Sequence, residues 1–394
     1  MKMIIFSLCL FAFLCVGIVA QVKPRARDLG VPFDGATGKQ NAITDVKGVE
    51  VGYTTLISGS GKNAVRTGVT AILPQGKNYT GRLFGGWFTL NGNGEMTGTT
   101  WLEESGAFGG PVMITNTHSV GVVRDAVIEW GTKRSTKKGY SGDFSLPVVA
   151  ETWDGFLNDI NGFHVTKGHV FQALDSAKAG SIAEGNVGGG TGMVAHSFKG
   201  GTGTSSRVLT KENGGYTIGV LVQANYGTRR LLKIAGVPVG REIPDIMPTE
   251  GKADADTGSI IVIIATEAPL LPHQLKRIAT RASLGIGLMG GIGGNSSGDI
   301  FIAFSTANAA EASIENEPSK ILMLPNEKIN PLFEATVQAT EEAIVNALIA
   351  AETMTGYNGN TVYALPHDRL KSALRKYNRL VQKPDREGGL NTQR

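Results

Sequence analysis

Short β-branched runs set between glycines recur along this chain: VKGVEVGY at 46–53, GVTAIL at 68–73, YTIGVLVQ at 216–223, GSIIVIIA at 258–265 and IFIAF at 300–304. Runs of this length and composition read as strands, and the turn-forming SGSGKN separates the first two. The 54 glycines among 394 residues are about twice the ordinary share and are spread widely, which favours many short strands and tight turns over disorder. Leu83–Leu90 and Val112–Thr115 are further strand candidates, and 148–161 begins strand-like and turns helical. Helical spacing appears at His118–Trp130, at His169–Ala179 and from Pro272 to about Leu284. The strongest helix is Asn330–Glu352, with Pro331 at its start and Leu332, Phe333, Val337, Ala343, Ile344 and Leu348 on one face. Strands and helices alternate irregularly, with no repeat of 20–50 residues. The pattern predicts a layered α/β or α+β domain whose sheets are covered by helices.

The first twenty residues, MKMIIFSLCLFAFLCVGIVA, carry one early lysine, an apolar core and a small-residue end, the pattern of a secretory signal cut before Gln21. The apolar core is too short for a convincing membrane span. Both cysteines, Cys9 and Cys15, lie in it, so an exported mature chain has neither disulfide nor thiol chemistry. The formal net charge of +4, part of it Lys2 of the leader, is too small to argue for nucleic acid or a membrane surface. Residues 21–40 read as a polar arm, 41–394 as one domain with a proline- and acid-rich loop at 235–256, and the tail beyond His367 as basic and polar.

The six histidines show no HExxH or HxH spacing, so no metal is expected. Gly287–Gly294 could cradle an anion, but no Lys-Ser/Thr follows, and the order helix, glycines, strand reverses that of a dinucleotide site. Ser135–Lys138 matches S-x-x-K only in a basic loop, and no G-x-S-x-G elbow stands in a strand-to-helix context. The serine pair Ser296-Ser297 remains, between the glycine tract and a strand. A serine hydroxyl needs a base, and cutting the bond before it creates one: the new α-amine, with a pKa of about 8, beside its own hydroxyl. Preceding glycines would give that bond slack. A glycine-rich surface hinge is the competing reading.

The stretch NSSGDIFIAFSTAN resembles the self-processing L-aminopeptidase/D-esterase (DmpA) family, which includes the β-peptidyl aminopeptidases. Further blocks resemble that family in order, among them RTGVTAILP, GNGEMTGTTWLEESG, LPVVAETWDGFLNDING, GVLVQANYG, SIIVIIATEAPLLPHQLKRIA and ATEEAIVNAL, over roughly Arg27 to His367. The resemblance implies a four-layer αββα sandwich like that of N-terminal-nucleophile hydrolases. It also implies one self-cleavage into two associated chains, no cofactor, and a homo-oligomer acting on small peptides, amides or esters with a free amine. It places the nucleophile on Ser297, with the cut between Ser296 and Ser297; asparagine or glycine is the expected residue before the cut, which leaves Ser296 as the alternative nucleophile. Asn225 would donate to the oxyanion, assisted by Trp153 where the family has tyrosine. Glu151 would receive the substrate amine. Thr340 and Glu342, or Glu341 in its place, would orient the nucleophile. An acyl transferase like the ornithine acetyltransferases and a non-catalytic exported binding protein are the rival readings.

Overall fold

The computed structural model describes residues 23–134, 144–249, 258–313 and 317–381. The expected signal segment, the S-x-x-K match and the end of the tail lie outside the described residues.

In chain order the elements are β1 (Glu50–Ser58), β2 (Val65–Leu73), β3 (Arg82–Thr89), α1 (Thr99–Ser105), β4 (Ala107–Gly109), β5 (Val112–Asn116), α2 (Val120–Arg134), β6 (Val148–Thr152) and α3 (Lys167–Asp175). There follow β7 (Val194–Ala195), β8 (Phe198–Lys199), β9 (Gly201–Val208), β10 (Thr217–Asn225), α4 (Val239–Glu242), β11 (Ser259–Thr266), α5 (Pro272–Leu288), β12 (Ile300–Ser305), α6 (Asn330–Ala350), β13 (Met354–Thr355), β14 (Thr361–Val362) and α7 (His367–Lys376). The principal sheets run β1-β2-β5-β6 and β4-β3-β12-β11-β10-β9.

Alternation along the strands builds the layers. On β11, Ile261, Ile263 and Ala265 join Ile72, Ile114 and Val148 of the smaller sheet in a core between the two sheets. Ile260, Val262 and Ile264 face the other way and pack with Leu275 and Ile278 of α5 and Ala343 and Leu348 of α6. Val69, Ala71 and Met113 of the smaller sheet meet Val123 of α2 and Val170 of α3. The result is the αββα sandwich.

Three segments depart from the sequence reading. Strand β9 is GTGTSSRV, with little apolar signal, yet every residue but the last is buried. Its small residues admit α6 closely: a Cβ on Gly203 would overlap the Ala343 carbonyl, and Ser205 Oγ donates to the Ala339 carbonyl at 2.5 Å. The expected arm is stitched into the core, with Ala26 and Val31 buried and the Ala26 N–H donating to Asn346 Oδ1 at 3.0 Å. The chain beyond His367 forms helix α7, which buries Leu370, Ala373 and Leu374 at i, i+3 and i+4 spacing.

This topology brings several strand ends together. Strand β10 ends at Asn225, and Asn225 pairs with Ser259 at the start of its antiparallel neighbour β11. Strand β12 starts beside β11 in parallel, with Ile261 opposite Ile300. In the facing sheet, β5 and β6 run parallel and end at the same side, Thr115 opposite Glu151. Gln223 ties the sheets there, its Nε2 donating to the Thr115 carbonyl at 3.0 Å and to Thr152 Oγ1 at 2.8 Å.

Candidate active site

Ser297 is buried, and its hydroxyl donates to Asp299 Oδ1 at 2.6 Å. Its N–H closes a turn on the Gly294 carbonyl at 3.0 Å, while Ser296 is exposed with its carbonyl held by Asn93 Nδ2 at 2.8 Å. The glycine tract before it is not slack. Gly290 sits at φ 90°, where a Cβ would overlap the Leu231 carbonyl, and Gly291 packs against Ile286 and Tyr226, so the connector between α5 and β12 is pinned at its start.

Asn225 is oriented by two bonds: the Val194 N–H donates to its Oδ1 at 2.8 Å, and its Nδ2 donates to the Trp153 carbonyl at 2.9 Å. The amide has two N–H protons, so one is left to aim at a developing oxyanion. Trp153 acts here through its carbonyl. Its indole is 45 % exposed and lies over Gly155.

Glu151 is buried at the end of β6, where it accepts from the Glu95 N–H at 2.9 Å and from the Thr117 hydroxyl. Burial pushes its carboxyl above the usual range, against the lowering effect of those hydrogen bonds. Gly94 lies between Glu151 and the serine turn. A Cβ there would be 3.1 Å from Gly298 Cα and 3.3 Å from Glu151 Oε1. The carboxylate thus stands one backbone thickness from the serine turn.

The structure does not bring Thr340 and Glu342 to this place, a correction to the expected roles. Thr340 Oγ1 donates to the Thr336 carbonyl at 2.8 Å, within α6, and its Cβ packs against Gly285 of α5. Glu342 accepts both Arg27 Nε at 2.8 Å and Arg27 Nη2 at 2.9 Å, pairs with Arg207 at 2.8 Å and accepts from Asn41 at 2.6 Å. Arg207 lies opposite Ile218. Seven residues of strand separate that point from Asn225, roughly 23 Å at 3.3 Å per residue. Burial alone would raise the Glu342 carboxyl, but Arg27 and Arg207 hold it below the usual range. Glu341, in contrast, has its carboxyl raised by burial and lines a separate cavity of about 440 Å³ with Asp34 and Arg379.

Sequence reasoning missed one residue that the geometry brings forward. Ser259 opens β11 directly across from Asn225, and its Oγ accepts the Gly298 N–H at 3.1 Å. Ser297 stands one strand further from Asn225. A Cβ on Gly258 would overlap the Asn225 carbonyl, so the residue before Ser259 is held against the Asn225 backbone. The signal was present in Gly258-Ser259-Ile260-Ile261: a glycine, then a serine, then a buried strand.

Two β-sheets faced by helices, with serines at paired strand starts and an amide donor beside them, define a hydrolase of the N-terminal-nucleophile type. Residues 41–362 match the model of peptidase family S58. The chain belongs to that family. It is 54 % identical over 392 residues to the β-peptidyl aminopeptidase BapA of Sphingosinicella microcystinivorans, covering 95 % of this chain and 98 % of the relative. It is 49 % identical over 383 residues to the BapA of Sphingosinicella xenopeptidilytica, covering 92 % and 95 %. Among solved structures, the L-aminopeptidase D-Ala-esterase/amidase of Ochrobactrum anthropi, described as a new variant among the Ntn hydrolase fold, aligns with TM-score 0.84 and 50 % identity over 91 % of this chain and 100 % of that one. A Burkholderia sp. β-aminopeptidase aligns with TM-score 0.82 and 46 % identity over 92 % and 100 %.

Proposed function

We propose that this chain is a self-processing serine aminopeptidase that removes N-terminal residues, β-amino acids among them, from small peptides, amides and esters with a free amine. The supporting observation is the buried Glu151 facing the serine turn across Gly94. A carboxylate there pairs with a terminal ammonium and limits attack to the first bond. The extension to β-amino acids rests on the relatives' activity.

Ser259 is the attacking residue that the geometry favours, with Ser297 and Asp299 as its supporting pair. In the precursor its hydroxyl adds to the Gly258 carbonyl carbon, the C–N bond breaks as the acyl group shifts to oxygen, and water hydrolyses the ester. This leaves a carboxylate on Gly258 and a free α-amine on Ser259. In the mature enzyme that amine takes the hydroxyl proton, Ser259 attacks the substrate carbonyl, and Asn225 stabilises the oxyanion. The proton passes to the leaving amine, and water releases the acyl group. The second reading makes Ser297 the nucleophile, with the cut before it, its own α-amine as base and Asp299 orienting its hydroxyl, favoured by their hydrogen bond at 2.6 Å.

Intact-mass measurement of the purified protein separates the two. A fragment beginning at Ser259 is expected, and one beginning at Ser297 would install the second reading. A single uncut chain that still hydrolyses substrate would sink both. The same measurement tests export, because a mature protein is expected to begin at Gln21. The multimer implied by the family resemblance is read by size-exclusion chromatography with light scattering. Release of p-nitroaniline from β-alanine p-nitroanilide but not from its N-acetyl form tests Glu151's role, and equal rates would contradict it.

A further inference from the structure

The loop after β3 carries two asparagines that grip the serine turn from outside. Asn91 Oδ1 accepts the Asp299 N–H at 2.7 Å. Its Nδ2 donates to the Gly294 carbonyl at 3.0 Å and lies 3.4 Å from Asp299 Oδ2. Asn93 supports the same turn, its N–H donating to the Ser297 carbonyl at 3.3 Å and its Nδ2 to the Ser296 carbonyl. Two residues later the Glu95 N–H holds Glu151. One short loop therefore fixes both the serine–aspartate pair and the amine-binding carboxylate.

We propose that Asn91 is a positioning residue for the reaction, orienting the Asp299 carboxylate so that Oδ1 faces the Ser297 hydroxyl. The geometry carries this directly. A carboxylate can rotate about its Cβ–Cγ bond, and the Asp299 side chain is held at Oδ2 by Asn91 Nδ2 and at Oδ1 by Ser297 Oγ and the Ile260 N–H at 3.2 Å, while Asn91 Oδ1 and the Leu90 N–H hold its backbone. Asn91 grips both the side chain and the backbone of Asp299 and touches neither serine's hydroxyl, so it acts through Asp299. The role holds whichever of Ser259 and Ser297 attacks, since Gly298 links the two.

The inference rests on the aminopeptidase reading only for its turnover measurement; the rate of precursor cutting reads it separately. Asn91→Ala is expected to lower kcat about 10²-fold, the scale of a small misplacement of a catalytic group, with KM within about threefold. Precursor cutting should slow in parallel. Asn91→Asp keeps the acceptor for the Asp299 N–H but, when ionised, loses the donor. The Asp299 carboxylate, 3.4 Å from this position, raises the pKa of the introduced acid, so activity relative to wild type should rise as pH falls from 8 to 5.5 and the protonated acid donates again. A kcat for Asn91→Ala within about threefold of wild type overturns the proposal. If that variant does not fold, equal relative activity of Asn91→Asp at both pH values overturns it instead. Normal cutting with no activity on any free-amine substrate would sink the aminopeptidase reading and leave Asn91 to be judged on cutting alone.

Discussion

Two polar clusters are buried at opposite ends of the sandwich, and they are built on opposite principles. At one end Glu342 is enclosed by Arg27, Arg207 and Asn41, its carboxylate fully answered. At the other, Glu151 and Asp154 are buried among neutral partners. Burial pushes the Asp154 carboxyl up to about 7, and Asn158, Asn116 and Thr67 do not balance it. A satisfied cluster has nothing left to offer a ligand and serves cohesion. An unbalanced one is where a substrate ammonium or a developing charge can complete the pairing.

The contrast can be broken most strongly at the satisfied end. Glu342→Ala leaves two guanidinium groups without their carboxylate and should cost about 3–5 kcal/mol in urea unfolding. Arg27, Asn41 and Arg207 precede both candidate cut points and Glu342 follows them, so the cluster also joins the two chains after processing. The variant's fragments should part at lower urea while kcat of the folded fraction stays near wild type. A large kcat loss without destabilisation would return Glu342 to the catalytic set.

At the open end, Asn225→Ala should lower kcat by about 10²–10³-fold, the usual loss of one oxyanion donor. An effect confined to KM would make Asn225 a mere tie to Trp153. Glu151→Gln should raise KM for free-amine substrates by about tenfold or more, as expected for a lost charged hydrogen bond of about 1.5–3 kcal/mol. Because burial raises the Glu151 carboxyl, wild-type KM should climb on acidification at a higher pH than an ordinary carboxylate would give, and Glu151→Gln should lose that limb.

A further test sharpens the comparison through pH. Asp154 is raised from 3.8 to about 7 in the folded state, so its stabilising, protonated form is fully effective below 3.8 and is lost as pH rises through 7. Asp154→Asn should flatten the stability profile between those values. Glu342, held low, behaves in the opposite sense: its contribution is present above the usual carboxylate range and lost only in stronger acid. A profile unchanged by Asp154→Asn would mean that another group titrates there.

Continuous β-branched runs located β10, β11 and β12, which are buried on both faces, and helical spacing located α5 and α6, whose buried faces repeat at 3.6. Neither could locate β9, where close helix approach selects small residues over apolar ones. The ordered blocks also named the family, and with it the kind of chemistry. What the linear chain could not decide is which hydroxyl sits beside which amide. Gly290–Ser297 looks like slack in sequence, yet in the fold Gly290 is where the Leu231 backbone passes too closely for a Cβ. Thr340 and Glu342 stand on the strongest helix, but its facing strand carries them toward the far end of the sheet. Ser259 and Asn225, 34 positions apart, become direct neighbours only through antiparallel pairing. Register is a property of two strands together, and neither strand's residues encode it alone.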